Sequence, residues 1–368
     1  MTTDQNSRRK FLATLAATGA VATTQFTPLA ALANTSTDQR KVPFKSRNTA
    51  EPLKIASMMQ LTSAEIEQIK NGGKNIELIV SSDGKETKQF ADAEVWFGYR
   101  DGSMISQAKN LKWVQALGAG VENMPKELVD HPCTLTNMQR IYAPVIAESA
   151  IGLLLSLTRG LTQLSIPAFS QKKWIQTPND LPLEDLYGKT IGIVGMGGIG
   201  SETARRLHYG FNMRVLGTDA KPLHKPAFVE ELHDPGWLME MVPQVDVLMS
   251  AAPLTPITKG MFNEKVFSKM KPGAYFINVS RGGLVDQDAL VKALKEKRIR
   301  GAGLDVTTPE PLPSDHPLWT CPNLVITPHN SGHAPIRQQR LIQLIAENVR
   351  RYNEGLPLMN VVDKAKGY

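Results

Sequence analysis

From residue 52 onward the chain alternates short apolar runs with stretches of helical periodicity. Apolar runs bounded by polar and turn residues predict strands at 53–56, 76–80, 93–97, 113–117 and 134–136. Between the first two, LTSAEIEQIKN predicts an amphipathic helix capped by Thr62 or Ser63. Residues 143–159, APVIAESAIGLLLSLTR, are apolar nearly all round with Pro144 at the start. That pattern predicts a helix buried between two domains. It is too short and mixed for a membrane span, which needs ~20 apolar residues. A second series starts at Lys189, with strands expected at 190–194, 214–218, 245–250, 274–279, 302–306 and 323–326. Strands separated by helical stretches imply parallel, doubly wound sheets and an α/β fold class. After His333 a helix through Arg350 leads into GLPLMNVVD and is expected to return to the first domain. The expected organisation is one domain at 52–150 completed by 335–368, and a second at 151–334.

The front of the chain is different. Arg8 and Arg9 precede an uncharged stretch rich in Ala, Thr and Gly, and Ala31-Leu32-Ala33 supplies a small-x-small exit. A basic start, a mild apolar run and such an exit read as a signal peptide over 1–33. Ser7-Arg8-Arg9-Lys10-Phe11-Leu12 resembles the bacterial twin-arginine signal, S-R-R-x-F-L, at all its fixed positions. The expectation is export to the periplasm, with a flexible polar lead-in over 34–51 and no other membrane association.

Composition narrows the chemistry. The 368 residues are 42% hydrophobic and 21% charged, with a net charge of +7 spread along the chain. No Lys/Arg block with interleaved aromatics is present, so nucleic acid is not an expected partner. The two cysteines, Cys133 and Cys321, form no metal-ligand pattern with neighbouring residues, so no metal is expected; they read as two small buried thiols.

The strongest motif is TIGIVGMGGIGSETARRL. Gly195-Met196-Gly197-Gly198-Ile199-Gly200 lies between a predicted strand and a predicted helix over 201–207, the context a dinucleotide-binding turn needs. Gly195 permits the tight turn, Gly197 lets a pyrophosphate approach backbone, and Gly200 lets the helix pack on the strand. Phosphates then meet the free N–H groups of the helix N-terminus. The next strand ends at Asp219, whose carboxylate suits a ribose hydroxyl and favours NAD. Lys221 lies two residues on and blunts the repulsion of a 2′-phosphate, which leaves NADP open.

Three later segments carry reactive side chains just beyond predicted strand ends, where an open α/β sheet presents its ligand crevice. They are NVSRGGLVD with Arg281, GLDVTTPEP with Glu310, and ITPHNSG with His329. Arg281 suits a substrate carboxylate and the carbonyl beside it. His329 suits proton transfer to that carbonyl oxygen, and Glu310 suits orienting the imidazole and favouring its charged form. Alone, each also reads as a surface ion-pair, loop or turn residue; beyond a nucleotide-binding turn they make one constellation. His333 is the rival imidazole, four residues further from the strand end.

LYGKTIGIVGMGGIG, MKPGAYFINVSRGGLVDQDAL, GAGLDVTTPEPLPSDHPLW and NLVITPH occur in the order seen in the D-isomer-specific 2-hydroxyacid dehydrogenases, which the chain resembles from residue 52 to Tyr368. The resemblance implies a Rossmann NAD-binding domain plus a smaller flavodoxin-like substrate domain, a cleft between them, and a homodimer. It implies hydride transfer between NAD(P)H and a 2-keto acid/D-2-hydroxy acid pair of the glyoxylate, hydroxypyruvate or pyruvate type. It carries over Arg281, Glu310 and His329 as the catalytic trio and Asp305 as a partner of the nicotinamide carboxamide. Pro253, Asn278 and Ser280 fall in segments that line the cofactor. LGAGVENM resembles the substrate loop, with the N–H groups of Ala119 and Gly120 opposite Arg281. Two positions depart from the family, which often has Asp at Glu122 and an aromatic at Thr307. Glu310 departs from formate dehydrogenases, which carry glutamine there. The other class of reading is a dinucleotide-binding protein with a partner-binding role; the intact trio and the export signal favour an enzyme. Export also predicts a tightly held cofactor, since the periplasm has no evident nicotinamide supply.

Overall fold

The computed structural model describes residues 50–83, 88–100, 102–178 and 183–368. SRRKFL, the 31–33 exit and nearly all of the expected lead-in lie outside the described residues.

Strands β1 (Leu53–Ser57), β2 (Ile76–Val80), β3 (Val95–Phe97), β4 (Trp113–Gln115) and β5 (Thr134–Thr136) form a parallel sheet of order β2-β1-β3-β4-β5. Strands β6 (Thr190–Val194), β7 (Arg214–Thr218), β8 (Glu231–His233), β9 (Val247–Ser250), β10 (Tyr275–Asn278), β11 (Gly301–Leu304) and β12 (Leu324–Ile326) form a second parallel sheet of order β12-β11-β10-β9-β6-β7-β8. The first order is flavodoxin-like; the second is the doubly wound dinucleotide-binding order with one added edge strand. Helices are α1 (Ser63–Lys70), α2 (Lys126–Asp130), α3 (Ala143–Thr158), α4 (Ile166–Ser170), α5 (Gly198–Phe211), α6 (Leu238–Met241), α7 (Glu264–Lys269), α8 (Gln287–Lys295) and α9 (Arg337–Glu354).

Central strands such as β6, TIGIV, are buried at every position. Helices cover both faces of such a sheet, so an unbroken apolar run is what the sequence must supply. Strand β8, Glu-Leu-His, is partly exposed at the sheet edge and has no such run, and sequence analysis misses it. Several expected strands are shorter in the structure. The turn that donates Ala93 N–H to Phe90 removes two residues from the front of β3.

Helix α1 is capped by Thr62, not Ser63. The Thr62 hydroxyl accepts from Glu65 N–H while the Glu65 carboxylate accepts from Thr62 N–H at 2.7 Å. This reciprocal cap contributes about 1 kcal/mol. Helix α3 straddles the expected 150/151 division and buries Ala147, Ala150, Leu153, Leu154 and Leu157. It packs on α5 and on the strands β10 to β12. Among the described residues no single helix is long and apolar enough to cross a membrane.

Helix α9 packs on the first sheet. Leu341, Ile342, Leu344, Ile345, Val349 and Tyr352 join Leu53, Ile55, Val95, Phe97 and Trp113 in one core. Inside it, Asn348 donates to Gln115 Oε1 at 3.2 Å and accepts from Met359 N–H at 2.8 Å. A buried polar pair satisfied in this way fixes the register of the helix on the sheet. Cys133 is buried and burial pushes its thiol up to about 11; Cys321 is only partly buried, which corrects the expectation of two buried thiols, and both are free.

Candidate active site

Both sheets open their crevice at a point where strand order reverses, and the loops beyond the strands supply the site. In the second sheet β6 lies between β7 and β9. Gly195 follows β6 with φ +95°, and a Cβ there would stand 2.6 Å from Ala252 N, in the loop after β9. Only glycine fits. A Cβ on Gly200 would stand 2.0 Å from the Gly195 carbonyl oxygen, so the third glycine is required by helix-on-strand contact. A Cβ on Gly197 would meet nothing within 4 Å, so the space above the turn is free of protein. A Cβ on Gly198 would press on Arg140, so this glycine serves the approach of α5 to the segment before α3. No side chain caps α5, whose first turn holds Gly198, Ile199 and Gly200 and offers backbone donors to an anion. Pro253 is exposed just after the Ala251–Ala252 backbone that abuts Gly195.

Asp219 ends β7, and its N–H donates to His233 O of the unforeseen β8. Its carboxylate accepts from Lys221 N–H at 2.8 Å. Burial raises the Asp219 carboxyl above the ordinary range, partly offset by N–H donors from Lys221 and Met196 and by the Lys221 charge. The turn, the open volume over it, the uncapped helix and this carboxylate fit a nicotinamide dinucleotide.

His329 follows β12 with φ +50°, in the left-handed region. Its Nδ1 donates to Glu310 Oε2 at 2.7 Å, which leaves Nε2 as the reactive nitrogen. The other Glu310 oxygen accepts from Thr307 N–H at 3.0 Å, so the carboxylate is held at both ends. His333 is exposed and has no side-chain partner among the described residues, so the geometry favours His329.

Arg281 follows β10 and reaches across to the first domain. Its Nη1 donates to Ser280 O at 2.8 Å and its Nε to Glu122 Oε1 at 2.5 Å. Glu122 lies in the 118–123 loop after β4. Its side chain is 25% exposed although the residue as a whole, backbone included, counts as exposed. Burial alone would raise the Glu122 carboxyl; the Arg281 hydrogen bond and charge outweigh it, with His329 adding, and hold it below the usual range. Both Arg281 Nη2 and Glu122 Oε2 crowd Gly120, where a Cβ would stand 2.0 and 2.4 Å from them. In the same loop Gly118 O accepts from Met138 N–H and Ala119 O from Asn137 Nδ2. The carbonyls are thus turned inward, and the N–H groups of Ala119 and Gly120 have no acceptor among the described residues.

Beside this loop is a hollow of about 360 Å³ lined by Met58, Gly98, Tyr99, Arg100, Leu117 and Glu122, among others. Met58 and Gly98 follow β1 and β3, the reversal point of the first sheet. Burial, then the Glu122 charge, pushes the Tyr99 phenol up to about 12, so it is neutral. Met58 is absent from the sequence-based site. Its signal was its position directly after a strand flanking a reversal, which needs the strand order.

Three residues expected at the cofactor also hold partners within the protein. Asn278, fully buried, donates to Arg281 O at 3.0 Å and accepts from Ser280 N–H and Oγ. Ser280 Oγ also meets Ser250 Oγ at 2.6 Å. These side chains shape the turn that carries Arg281. Asp305 is 1% exposed. Its carboxylate gathers Thr327 Oγ1 at 2.6 Å and the N–H groups of Asn330 and Ser331, while its carbonyl accepts His329 N–H at 2.8 Å. It anchors the loop that presents His329.

A dinucleotide turn and an imidazole–carboxylate pair beyond strands of one sheet, with a guanidinium beside open backbone donors, define a nicotinamide-dependent oxidoreductase acting beside a carboxylate. The sequence profile of the D-isomer specific 2-hydroxyacid dehydrogenase NAD binding domain matches residues 151–331. The glyoxylate reductase of Korarchaeum cryptofilum (strain OPF8) is 34% identical over 270 residues, covering 72% of this chain and 80% of that protein. The human glyoxylate reductase/hydroxypyruvate reductase is 37% identical over 244 residues, covering 65% of this chain and 73% of that protein. A crystal structure of a D-isomer specific 2-hydroxyacid dehydrogenase from Xanthobacter autotrophicus Py2, in complex with NADPH and MES, superposes with TM-score 0.73 at 26% identity, over 86% of this chain and 99% of that one. The chain belongs to the D-isomer-specific 2-hydroxyacid dehydrogenase family. It is an NAD(P)-dependent oxidoreductase of small 2-keto and 2-hydroxy acids.

Proposed function

We propose that this chain reduces a short 2-keto acid of the glyoxylate or hydroxypyruvate type to its D-2-hydroxy acid, outside the cytoplasm and as a homodimer. The observation that carries the chemistry is the His329–Glu310 bond at 2.7 Å in the domain that also holds the dinucleotide turn. When bound there, the nicotinamide supplies the hydride. The N–H groups of Ala119 and Gly120 and the guanidinium of Arg281 hold the substrate carboxylate, which fixes the neighbouring carbonyl. His329 Nε2 donates the proton to the carbonyl oxygen, and Glu310 compensates the imidazolium charge that precedes this transfer. In the reverse direction the same nitrogen accepts the hydroxyl proton.

The sequence SRRKFL supports export through the twin-arginine route, which moves folded protein and so carries a loaded cofactor. That reading requires the cofactor to be tightly held. Support for a homodimer comes from large apolar side chains after α3, where Ile166, Phe169, Trp174 and Tyr187 are 59, 86, 95 and 72% exposed. Exposed apolar surface, where it is contiguous, marks a protein interface. The test is a panel of 2-keto acids run with NADH and NADPH in parallel; no oxidation of either by any of them defeats the reading. Denaturing the purified exported protein should release nucleotide, and sedimentation should give twice the chain mass.

A further inference from the structure

Cofactor choice turns on the carboxylate that ends β7 and on the cation two residues beyond it. Asp219 Oδ1 accepts from Lys221 N–H at 2.8 Å, which starts the lysine side chain beside the group suited to a ribose hydroxyl. Two lysines follow Asp219 in the loop between β7 and β8. Lys225 is committed, its ammonium donating to Val229 O at 2.9 Å. Lys221 is exposed, and its ammonium stands 5.0 Å from the centre of the Tyr368 ring, within the range of a cation–π contact.

Tyr368 is held by the first domain. Val361 pairs antiparallel with Thr136 at the end of β5, and Val362 N–H donates to Leu135 O at 2.8 Å. Lys364 Nζ donates to Leu128 O at 3.0 Å and to His131 O. A tight turn then brings the chain back on itself. Asp363 O accepts from Lys366 N–H at 3.0 Å and from Gly367 N–H at 2.8 Å, while Asp363 N–H donates to Tyr368 O at 3.2 Å. The half-buried ring is thus placed by the first sheet, and the lysine it meets is placed by the second.

We infer that Tyr368 is a positioning residue for cofactor choice: its ring holds the Lys221 ammonium, which would otherwise answer Asp219 or a 2′-phosphate, and so favours NAD(H) over NADP(H). With the cation held, the Asp219 carboxylate is left to take the ribose hydroxyls. A 2′-phosphate recruits Lys221 only by breaking the contact with the ring. An exposed contact of this kind amounts to about two- to fivefold in an equilibrium constant, and by linkage that is the ceiling on what it takes from NADPH binding. The inference rests on the nicotinamide dinucleotide reading of the turn after β6 and of Asp219, and deepens it.

The experiment measures Kd for NADH and for NADPH by fluorescence titration of the full chain, freed of any nucleotide it carries. Tyr368→Leu keeps apolar bulk but removes the ring, and should lower the ratio of the NADPH Kd to the NADH Kd about two- to fivefold. Tyr368→Phe keeps the ring face and should keep the wild-type ratio, a rescue that an effect of the hydroxyl would not give. In a Lys221→Met background Tyr368→Leu should leave the ratio where it stands, since the cation it acts through is gone. A ratio unmoved or raised in Tyr368→Leu, the same shift in Tyr368→Phe, or the same shift without Lys221 overturns the inference. Asp219→Ser is titrated alongside. A ratio that moves there but not in Tyr368→Leu overturns the inference alone; a ratio unmoved in both also overturns the placing of the ribose at Asp219. Wild type that binds neither nucleotide overturns the dinucleotide reading with it.

Discussion

Adding one methyl group at Gly120 and at Gly200 creates nearly the same steric conflict, and the two should fail in opposite ways. At Gly120 the new Cβ would stand 2.0 Å from Arg281 Nη2 and 2.4 Å from Glu122 Oε2, both far ends of side chains. At Gly200 it would stand 2.0 Å from the carbonyl oxygen of Gly195, which is main chain, and 3.1 Å from Ile193 Cγ2. Gly120 does not lie in the left-handed region, so Gly120→Ala brings no backbone strain. The guanidinium and the carboxylate must each give way by about 1 Å to reach contact distance. A displacement of that size in a substrate-holding group costs about 10²-fold in turnover efficiency, or roughly 2.7 kcal/mol of transition-state binding. Stability should stay within about 0.5 kcal/mol of wild type, as at other surface positions. In Gly200→Ala the helix must lift off the strand. Overpacking of this kind costs about 1–3 kcal/mol, or several degrees in Tm. Thermal melts and steady-state kinetics on both variants read the two effects. A Gly120→Ala protein with wild-type kinetics refutes the proposed grip of Arg281 on substrate. A Gly200→Ala protein with wild-type Tm refutes the close-contact role of the third glycine.

His329→Ala should lose at least 10²–10⁴-fold in kcat while binding cofactor as wild type does, read by NADH fluorescence; retained turnover counts against His329 as the proton donor. Glu310→Gln keeps the shape of the Thr307–Glu310–His329 chain but not its charge, and should lower kcat by about 10²-fold with little change in substrate KM. Asp219→Ser should move the ratio of NADPH to NADH efficiency upward by about tenfold or more; an unchanged ratio means that Asp219 does not face the ribose. The Arg281–Glu122 pair should also appear in stability against pH. The Glu122 carboxyl lies below its ordinary value in the folded protein. Its contribution is therefore complete above the unfolded carboxylate range, roughly 4.3, and is lost as pH falls through the lower folded value. The denaturation midpoints of wild type and Glu122→Gln should converge between about pH 5 and pH 3, and parallel curves would exclude the pair as a stabilising contact.

The buried strands were legible because parallel strands covered on both faces must be apolar throughout, and 190–194 and 214–218 begin and end where sequence analysis placed them, as do the edge strands 76–80 and 134–136. Strand β8 was not, since the partly exposed edge segment Glu231-Leu232-His233 has no apolar run to detect. The reactive side chains were legible for a related reason: each lies in a loop that follows a strand, and strands were the readable part. What escaped was contact between segments remote in sequence. Glu122 stood out only as a departure from a family pattern, and its hold on Arg281 depends on how two domains face each other. The partners that Asn278, Ser280 and Asp305 hold within the protein were not legible, because sequence position does not say which way a buried polar side chain turns.

Helix α9 has a bearing on the order of events in the cell. It supplies six buried residues of the core behind β1, β3 and β4, yet it is made after them. Domains fold as they leave the ribosome, and contacts between distant segments form late. The β6–β12 sheet therefore has all its strands before the earlier sheet can close its own core. The substrate loop, with Gly120 and Glu122, stands on that waiting sheet. Cofactor binding can thus precede completion of the substrate site within a single round of synthesis.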